Sequence, residues 1–414
     1  MANYMYFPRL LERKVARLTQ YFKVLLIVGA RQVGKSTLLK HLHPNFTPYV
    51  FDPITDLWNA RKDPDLFLNN LKPPAILDEI QYSPEILPGL KRLVDTHDQK
   101  GLFYLTGSQN FSMLKHAAES LAGRMSIVEL KGVTVYERMN KQPWLLQLLT
   151  QPEALHSQFT GCLALKNSLY ELMLQGCLPE AVQLPFDALK NYHASYIKTY
   201  LERDIRLLEN VRDLSDFERF LALMSALTAQ EINYQHLGRE IGISPLTARR
   251  WLDALIHGYQ WLSLPGYYNN TIKRISQKPK GHFADTGIAC HLIGIASAET
   301  LSRHPMLGNL FESYCVNMID AINQTLDNPA KMYHFRTHNG AEVDLILEHD
   351  GAYFPIEIKS KAHVSRHDAR GILSFMDTFP NVNIKLGIIL HAGTECYYVH
   401  EKILAMPWNG VFKI

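Results

Sequence analysis

The run Gly29-Ala30-Arg31-Gln32-Val33-Gly34-Lys35-Ser36, followed by Thr37, has the spacing GxxxxGK[ST]. Its glycines let backbone N–H groups turn inward around phosphate oxygens, and a helix starting there adds its positive end. Lys35 is then placed to reach the β- and γ-phosphates of ATP, and Ser36 to offer a hydroxyl to Mg2+. A second set follows the apolar run Ala75-Ile76-Leu77. Asp78 suits the holding of Mg2+ or its water, and Glu79 the polarising of an attacking water. Thr106 and Ser108 close a later apolar stretch, where a hydroxyl can sense the γ-phosphate. The residues predict ATP and Mg2+ as cofactors and hydrolysis to ADP and phosphate. Lys35 and Glu79 are the expected catalytic groups, and residues 29–37, Asp78 and Ser108 the expected nucleotide contacts.

A different chemistry is suggested by Glu342, Asp344, Glu357 and Lys359. Residues 341–348 and 353–359 alternate like two strands, and Asp350-Gly351 between them is a two-residue hairpin signal. Pairing His349 with Ala352 sets Asp344 opposite Glu357 and Glu342 opposite Lys359, all on one face. Val343, Leu345, Leu347, Phe354, Ile356 and Ile358 take the other. Facing carboxylates with Cβ atoms about 4.5–5.5 Å apart cost a few tenths to one kcal/mol unless a cation lies between them. A divalent metal would remove that cost.

Residues 234–252 read as helix, glycine-containing turn, helix. Gly242 suits the turn, Ser244 the N-cap and Pro245 the first helical position. Ile241, Ile243 and Leu252 can pack the pair together, leaving Thr247, Arg249 and Arg250 for a major groove or for phosphates. The same segment also suits a plain packing unit.

The elements that carry these groups follow from periodicity. Strands at 23–28, 75–77 and 102–105 alternate with helical patterns at 37–42 and through Leu90 and Leu93, which predicts a parallel sheet with covered faces. A helical segment, 9–21, precedes them. From about 155 to 260 the spacing is mostly helical, with 191–208 as one amphipathic helix; after about 305 a helix gives way to short strands, including 385–390 and 396–399. The expected architecture is α/β: an ATPase domain over 1–150, a helical and winged-helix domain over 155–295, and a mixed α/β domain over 300–414.

Apolar residues make up 47% of the 414 and charged residues 20%, which excludes a disordered chain. A net charge of +3 permits a nucleic-acid partner without arguing for one. Cys162, Cys177, Cys290, Cys315 and Cys396 are scattered, with no CxxC pair, as expected of reduced thiols in the cytoplasm. The sequence shows no signal-peptide core and no apolar run of the roughly 18–20 residues that span a bilayer, so no membrane partner is expected.

Residues 29–37 (GARQVGKST), 75–81 (AILDEIQ), 105–109 (LTGSQ) and Ser120-Leu121-Ala122-Gly123-Arg124 together resemble a prokaryotic branch of the AAA-type ATPases that carries a C-terminal domain of unknown function. The likeness covers nearly the whole chain. In such enzymes an arginine often reaches a neighbouring subunit's ATP site; the resemblance gives Arg124 that role and implies a homo-oligomer, the alternative being an ion pair within the subunit. Residues 282–287, following Lys273, Arg274, Lys278 and Lys280, resemble the end of a winged-helix unit, or are a solvated basic edge. The C-terminal hairpin resembles the PD-(D/E)XK nucleases, in which the acidic residues hold Mg2+ or Mn2+ and the lysine orients or activates water. Asp344, Glu357 and Lys359 fill those places, and Glu312, in a helix over 310–319, matches the additional acidic residue. Val343 stands where a proline usually precedes the first aspartate. Three readings stay open: an ATP-driven enzyme that cuts DNA, an ATP-switched DNA-binding regulator whose nuclease-like domain does not cut, and a protein-remodelling factor.

Overall fold

The computed structural model describes residues 5–108, 121–200, 214–268, 278–337 and 339–413. The chain divides into two compact units, Pro8–Val133 with His257–Tyr259, and Met1–Phe7 with Thr134–Ile256 and Gln260–Ile414. The segments expected as separate domains over 155–295 and 300–414 lie within the second of these.

The smaller unit is built on five parallel strands: β1 (Val24–Val28), β2 (Thr47–Val50), β3 (Ala75–Asp78), β4 (Phe103–Gly107) and β5 (Met125–Glu129), in the order β2-β3-β4-β1-β5. The three inner strands are buried along their whole length, as a parallel sheet with two covered faces requires. The edge strands β2 and β5 are half exposed and carry no continuous apolar run, so periodicity did not reveal them. Leu26, Leu77 and Leu105 of the sheet form one core with Leu87, Leu90 and Val94 of the helix Ile86–Asp95. The first helix, Glu12–Leu18, is shorter than the expected 9–21. Because the strands are parallel, all three inner strands end on one edge of the sheet, with the end of β4 between those of β1 and β3; at this edge open α/β sheets bind ligands.

In the larger unit β6 (Phe159–Cys162) breaks the segment expected to be helical. The helices Leu214–Ala226, Tyr234–Ile241 and Pro245–His257 follow, joined by β7 (Gln230–Glu231) and continued by β8 (Trp261–Leu264) and β9 (Lys280–Phe283), which pair in the order β7-β9-β8. Phe217, Phe220 and Trp251 lie with ring centroids 5.1–5.8 Å apart and lock the first of these helices to the last. Gly242, at φ 86, makes the turn that a side chain would strain, and Ser244 Oγ accepts from Thr247 N at 3.0 Å. The helix expected over 191–208 starts earlier, as Phe186–Tyr200; its expected end lies outside the described residues.

The remaining strands are β10 (Lys331–Arg336), β11 (Glu342–His349), β12 (Ala352–Lys359), β13 (Gly387–His391), β14 (Tyr397–His400) and β15 (Ile403–Pro407), in one sheet of order β10-β11-β12-β13-β15-β14. A last strand, β16 (Gly410–Phe412), pairs back with β6. The helix Leu307–Asn323 packs against both β9 and β12 and is buried around most of its girth. A bridge between Gly266 and His334 continues β8 towards β10, with Tyr267 N donating to His334 O at 2.7 Å. The helical and C-terminal segments therefore share one polar and apolar seam.

Leu105 sits fully buried in the central strand, whereas Ile127 on the edge strand is 44% exposed. Leu105→Ala is expected to cost about 2–5 kcal/mol in a denaturant melt, and Ile127→Ala less than about 1 kcal/mol.

Candidate functional site

After β1 the chain turns through Gly29 (φ 145), Gln32 (φ 61) and Gly34 (φ 96), and the helix Lys35–Leu42 begins. Lys35 is 5% exposed, and its Nζ donates to Gly29 O at 3.0 Å and Ala30 O at 2.8 Å. Ser36 Oγ donates to Asp78 Oδ1 at 2.7 Å, joining the loop to the end of β3. Thr106 Oγ1, from β4, donates to the same carboxylate oxygen and accepts from Glu79 N at 3.0 Å. Two hydroxyls thus fix Asp78. Glu79 occupies the left-handed region at φ 60, so the backbone leaves the strand direction where its carboxylate is needed. Gln81 Nε2 donates to Glu79 Oε2 and, at 2.9 Å, to Ser108 Oγ.

Sequence reasoning missed two members of this site. Arg9 is buried, and its guanidinium donates to Val33 O at 2.8 Å, Lys131 O at 2.6 Å and Gly132 O at 3.2 Å, pinning the loop to the chain beyond β5. Gln81 is the other. Neither has a pattern to betray it, since a lone arginine ahead of a helix and a glutamine beside an acidic pair are both common. The oxygen-rich donor set of Ser36 and Asp78 suits Mg2+, and the inward-turned loop at a helix N-terminus suits polyphosphate.

Within its own chain Arg124 makes the ion pair that was the alternative to a neighbouring subunit's site. Its Nε and Nη2 pair with Asp95 at 2.5 and 3.1 Å, and Nη1 donates to Ala122 O at 3.0 Å. The fork geometry of a guanidinium against a carboxylate is satisfied within its own chain. Ser120, which precedes it in the motif, lies outside the described residues.

In the larger unit β11 and β12 pair from His349 opposite Ala352 to Leu345 opposite Ile356. Asp350 (φ 48) and Gly351 (φ 73) make the tight turn. Asp344 Oδ2 accepts from Ile358 N at 2.9 Å, and Lys359 Nζ lies 2.8 Å from Glu357 Oε2 and 3.9 Å from Asp344 Oδ2. A second ammonium also enters the group. Lys280 Nζ lies 2.5 Å from Glu312 Oε1, 2.6 Å from Glu342 Oε1 and 3.1 Å from Asp344 Oδ1, with only 2% of its side chain exposed. Lys280 therefore does not fit the alternative of a solvated basic edge. Alternation along β9 turns Lys280 and His282 to the same side, where the helix Leu307–Asn323 presents Glu312. Lys278 is exposed, and Lys273 and Arg274 lie outside the described residues.

The electrostatics follow from burial and these pairings. Burial pushes Lys280 down, but Asp344, Glu312 and Glu342 outweigh it and hold the ammonium well above its ordinary range. Burial pushes Asp344 up, but Lys280, Lys359 and the Ile358 N–H hold it below the carboxylate range. Burial and the Asp344 charge push Glu357 well up, and the same two causes raise Glu312. Burial, then Lys280, pulls His334 to about 4. Two ammonium groups lie against these carboxylates, Lys280 against Glu312, Glu342 and Asp344, and Lys359 against Glu357. Among the described residues no group of three or more His, Cys, Asp or Glu side chains is arranged to hold a metal ion. Over Asp344, Glu357 and Lys359 opens a cleft of about 670 Å³, with Lys361, His367 and Arg370 also lining it. On the helix Pro245–His257, Arg249 and Arg250 are exposed and Thr247 is half-buried.

Residues 21–139 match the family model described as an AAA domain. Residues 166–299 and 307–410 match two domains of unknown function, DUF8612 and DUF4143. An uncharacterized protein of Mycobacterium tuberculosis is 29% identical over 396 residues, covering 94% of this chain and 80% of its own, and one of Mycobacterium bovis matches to the same extent. Among solved structures, a Walker-type ATPase of Pyrococcus abyssi is 14% identical with a TM-score of 0.38, covering 69% of this chain and 96% of that one. RuvB of Thermotoga maritima is 14% identical with a TM-score of 0.30, covering 62% and 87%. No described helix is long and apolar enough to cross a membrane.

Lys280→Met strips the buried carboxylates of a counter-charge and is expected to cost about 3–5 kcal/mol in denaturant unfolding of the larger unit. In an NMR titration His334 is expected to remain neutral at about pH 5, where an exposed histidine of pKa about 6.5 is charged, and a charged His334 at that pH would contradict the placement.

Proposed function

We propose that the chain is an ATP-hydrolysing AAA-type protein of the cytoplasm that acts on DNA. The hydrogen-bonded set of Ser36, Asp78 and Thr106, with Glu79 beside it, supports hydrolysis most directly. Mg2+, held there by Ser36 and Asp78, would supply charge neutralisation on the phosphate oxygens. Lys35 exchanges its carbonyl partners for the β- and γ-phosphates, and the loop N–H groups hold the oxygens around it. Glu79 takes the proton of the attacking water, with Gln81 holding its carboxylate against Ser108. Electrostatic positioning of this kind is the main catalytic device in phosphoryl transfer.

The helix-turn-helix segment and its three-stranded sheet resemble a winged-helix unit, and the exposed Arg249 and Arg250 suit phosphate and major-groove contact. The C-terminal sheet resembles the PD-(D/E)XK nucleases. Compensation of its carboxylates by Lys280 favours an ATP-switched DNA-binding protein whose cleft does not cut. The convergence of Asp344, Glu357 and Lys359 on one cleft favours a second reading, DNA cleavage with Mg2+ or Mn2+ bound by Asp344, Glu357 and Glu312. By resemblance to AAA-type enzymes the protein is a homo-oligomer, in which Arg124 would reach a neighbouring site only by exchanging Asp95.

Lys35→Ala and Glu79→Gln are each expected to lower ATP turnover by about 10²- to 10⁴-fold; unchanged turnover in Lys35→Ala would refute the site. Replacing Arg249 and Arg250 by Ala is expected to reduce the salt slope of DNA binding by about 2, measured by fluorescence anisotropy, and an unchanged slope removes this helix from the interface. In the same preparations, labelled DNA is expected to stay intact with Mg2+ or Mn2+; cutting that is lost in Asp344→Ala selects the second reading.

A further inference from the structure

Arg31 stands inside the phosphate loop, between Gly29 and Gly34, and brings it a second cation beside Lys35. The side chain is half-buried, and its Nη2 donates to Tyr82 Oη at 2.7 Å. Tyr82 closes the short turn that follows β3: its N donates to Glu79 O at 3.1 Å, and its ring packs against the core that holds Leu77 and Leu87. Glu79 and Gln81 lie on that turn, with Gln81 Nε2 donating to Glu79 Oε2 and to Ser108 Oγ. The guanidinium therefore spans the gap from the loop that takes the phosphates to the turn that carries the water-polarising carboxylate.

Hydrolysis has to take place in that gap. The loop addresses the β- and γ-phosphates, and the attacking water has to stand between the γ-phosphorus and Glu79, so a group that bridges loop and turn borders the same space. As the water oxygen bonds to the γ-phosphorus, the bond to the β–γ bridging oxygen breaks and its electron pair leaves with ADP, while the water proton passes to Glu79. Negative charge is then spread over three γ-oxygens, and a planar, permanently charged fork of N–H donors matches it better than an ammonium does. Lys35 supplies only a point charge, and Arg124 is held by Asp95 in its own chain. We propose that Arg31 is a catalytic arginine supplied by the loop of the same chain, whose guanidinium exchanges Tyr82 Oη for γ-phosphate oxygens and stabilises the charge that gathers on them as water attacks. Tyr82 is the resting acceptor, a neutral hydroxyl that an anionic phosphate displaces because charge-assisted hydrogen bonds are the stronger. This inference rests on reading the site as one that hydrolyses ATP.

The test compares the full chain as wild type, Arg31→Ala, Arg31→Lys, Tyr82→Phe and Lys35→Ala, all with Mg2+. Two quantities are measured: steady-state ATP turnover, and binding of fluorescent ADP with and without aluminium fluoride, which beside ADP mimics the γ-phosphoryl group in transit. Arg31→Ala is expected to lower kcat by about 10²- to 10³-fold and to lose the tightening by aluminium fluoride to a similar degree. Its affinity for ADP alone stays that of wild type, which also shows that the variant is folded. Arg31→Lys is expected to recover only part of the loss, since an ammonium lacks the fork. Tyr82→Phe removes the resting partner but leaves the guanidinium, so it costs far less than Arg31→Ala. Equal losses in these two would make Arg31 a clamp between loop and turn and overturn the proposal. Wild-type kcat and a wild-type response to aluminium fluoride in Arg31→Ala would overturn it as well, as would loss of ADP binding in both Arg31 variants. Lys35→Ala keeps the two readings apart: it loses ADP binding if the nucleotide site is right, whatever Arg31 does. A wild type without turnover ends the hydrolysis reading, while the aluminium fluoride comparison still decides whether Arg31 meets the γ-phosphate.

Discussion

An ammonium removed from water must be met by negative oxygens within hydrogen-bond reach, because its uncompensated burial costs several kcal/mol. In the larger unit Lys280 imposes that condition on three elements at once. It fixes where β9 lies, requires the helix Leu307–Asn323 to bring Glu312 to the same point, and requires β11 to turn Glu342 and Asp344 towards it. The helix can meet this demand because it packs against both β9 and β12. Around the ion pairs, Thr228 and Ser313 are 2.7 Å apart, and Asn317 donates to Phe283 O at 2.8 Å, so the seam remains polar without leaving these groups unpaired. The coherence of the larger unit follows from this arrangement, since the segments on either side of the seam share its charges.

The smaller unit solves a related problem with neutral groups. Asp78, nearly buried at the end of β3, receives hydroxyl hydrogen bonds from Ser36 and Thr106, which come from the helix after β1 and from β4. The order of the strands makes this possible. With β4 between β1 and β3, residues far apart in the chain reach one edge of the sheet, while Arg9 anchors the loop through Val33 O. A rigid acceptor beside a loop lined with N–H groups is a preorganised site for a phosphate and its cation.

The parts legible in the sequence were those whose cause is local. The inner strands β1, β3 and β4 are runs of buried apolar residues, and the loop between β1 and its helix has a spacing that only one structure explains. The register of β11 and β12 was likewise readable, because Asp350-Gly351 permits a tight turn and alternation does the rest. The edge strands β2 and β5 were not legible, because half-exposed strands lose the apolar run. The pairing of β6 with β16 was hidden for a different reason: its two halves lie at distant points of the chain. The partners of Lys280 were hidden on the same grounds. A lysine among other basic residues reads as solvated until the fold supplies Glu312, Glu342 and Asp344. Arg124 met its partner in Asp95, the last residue of the helix Ile86–Asp95 and distant in sequence, which no spacing rule announces.

Both claims, that the phosphate loop holds the catalytic cation and that Lys280 fills the other carboxylate site, meet in one experiment. Crystals of the wild-type chain grown with Mn2+ and a non-hydrolysable ATP analogue would be measured at the manganese absorption edge. The account predicts an anomalous peak beside Ser36 and Asp78 and none among Glu312, Asp344 and Glu357, where Lys280 Nζ remains. A peak at that second position with Lys280 in place, or none beside Ser36 and Asp78 with the analogue bound, would contradict it.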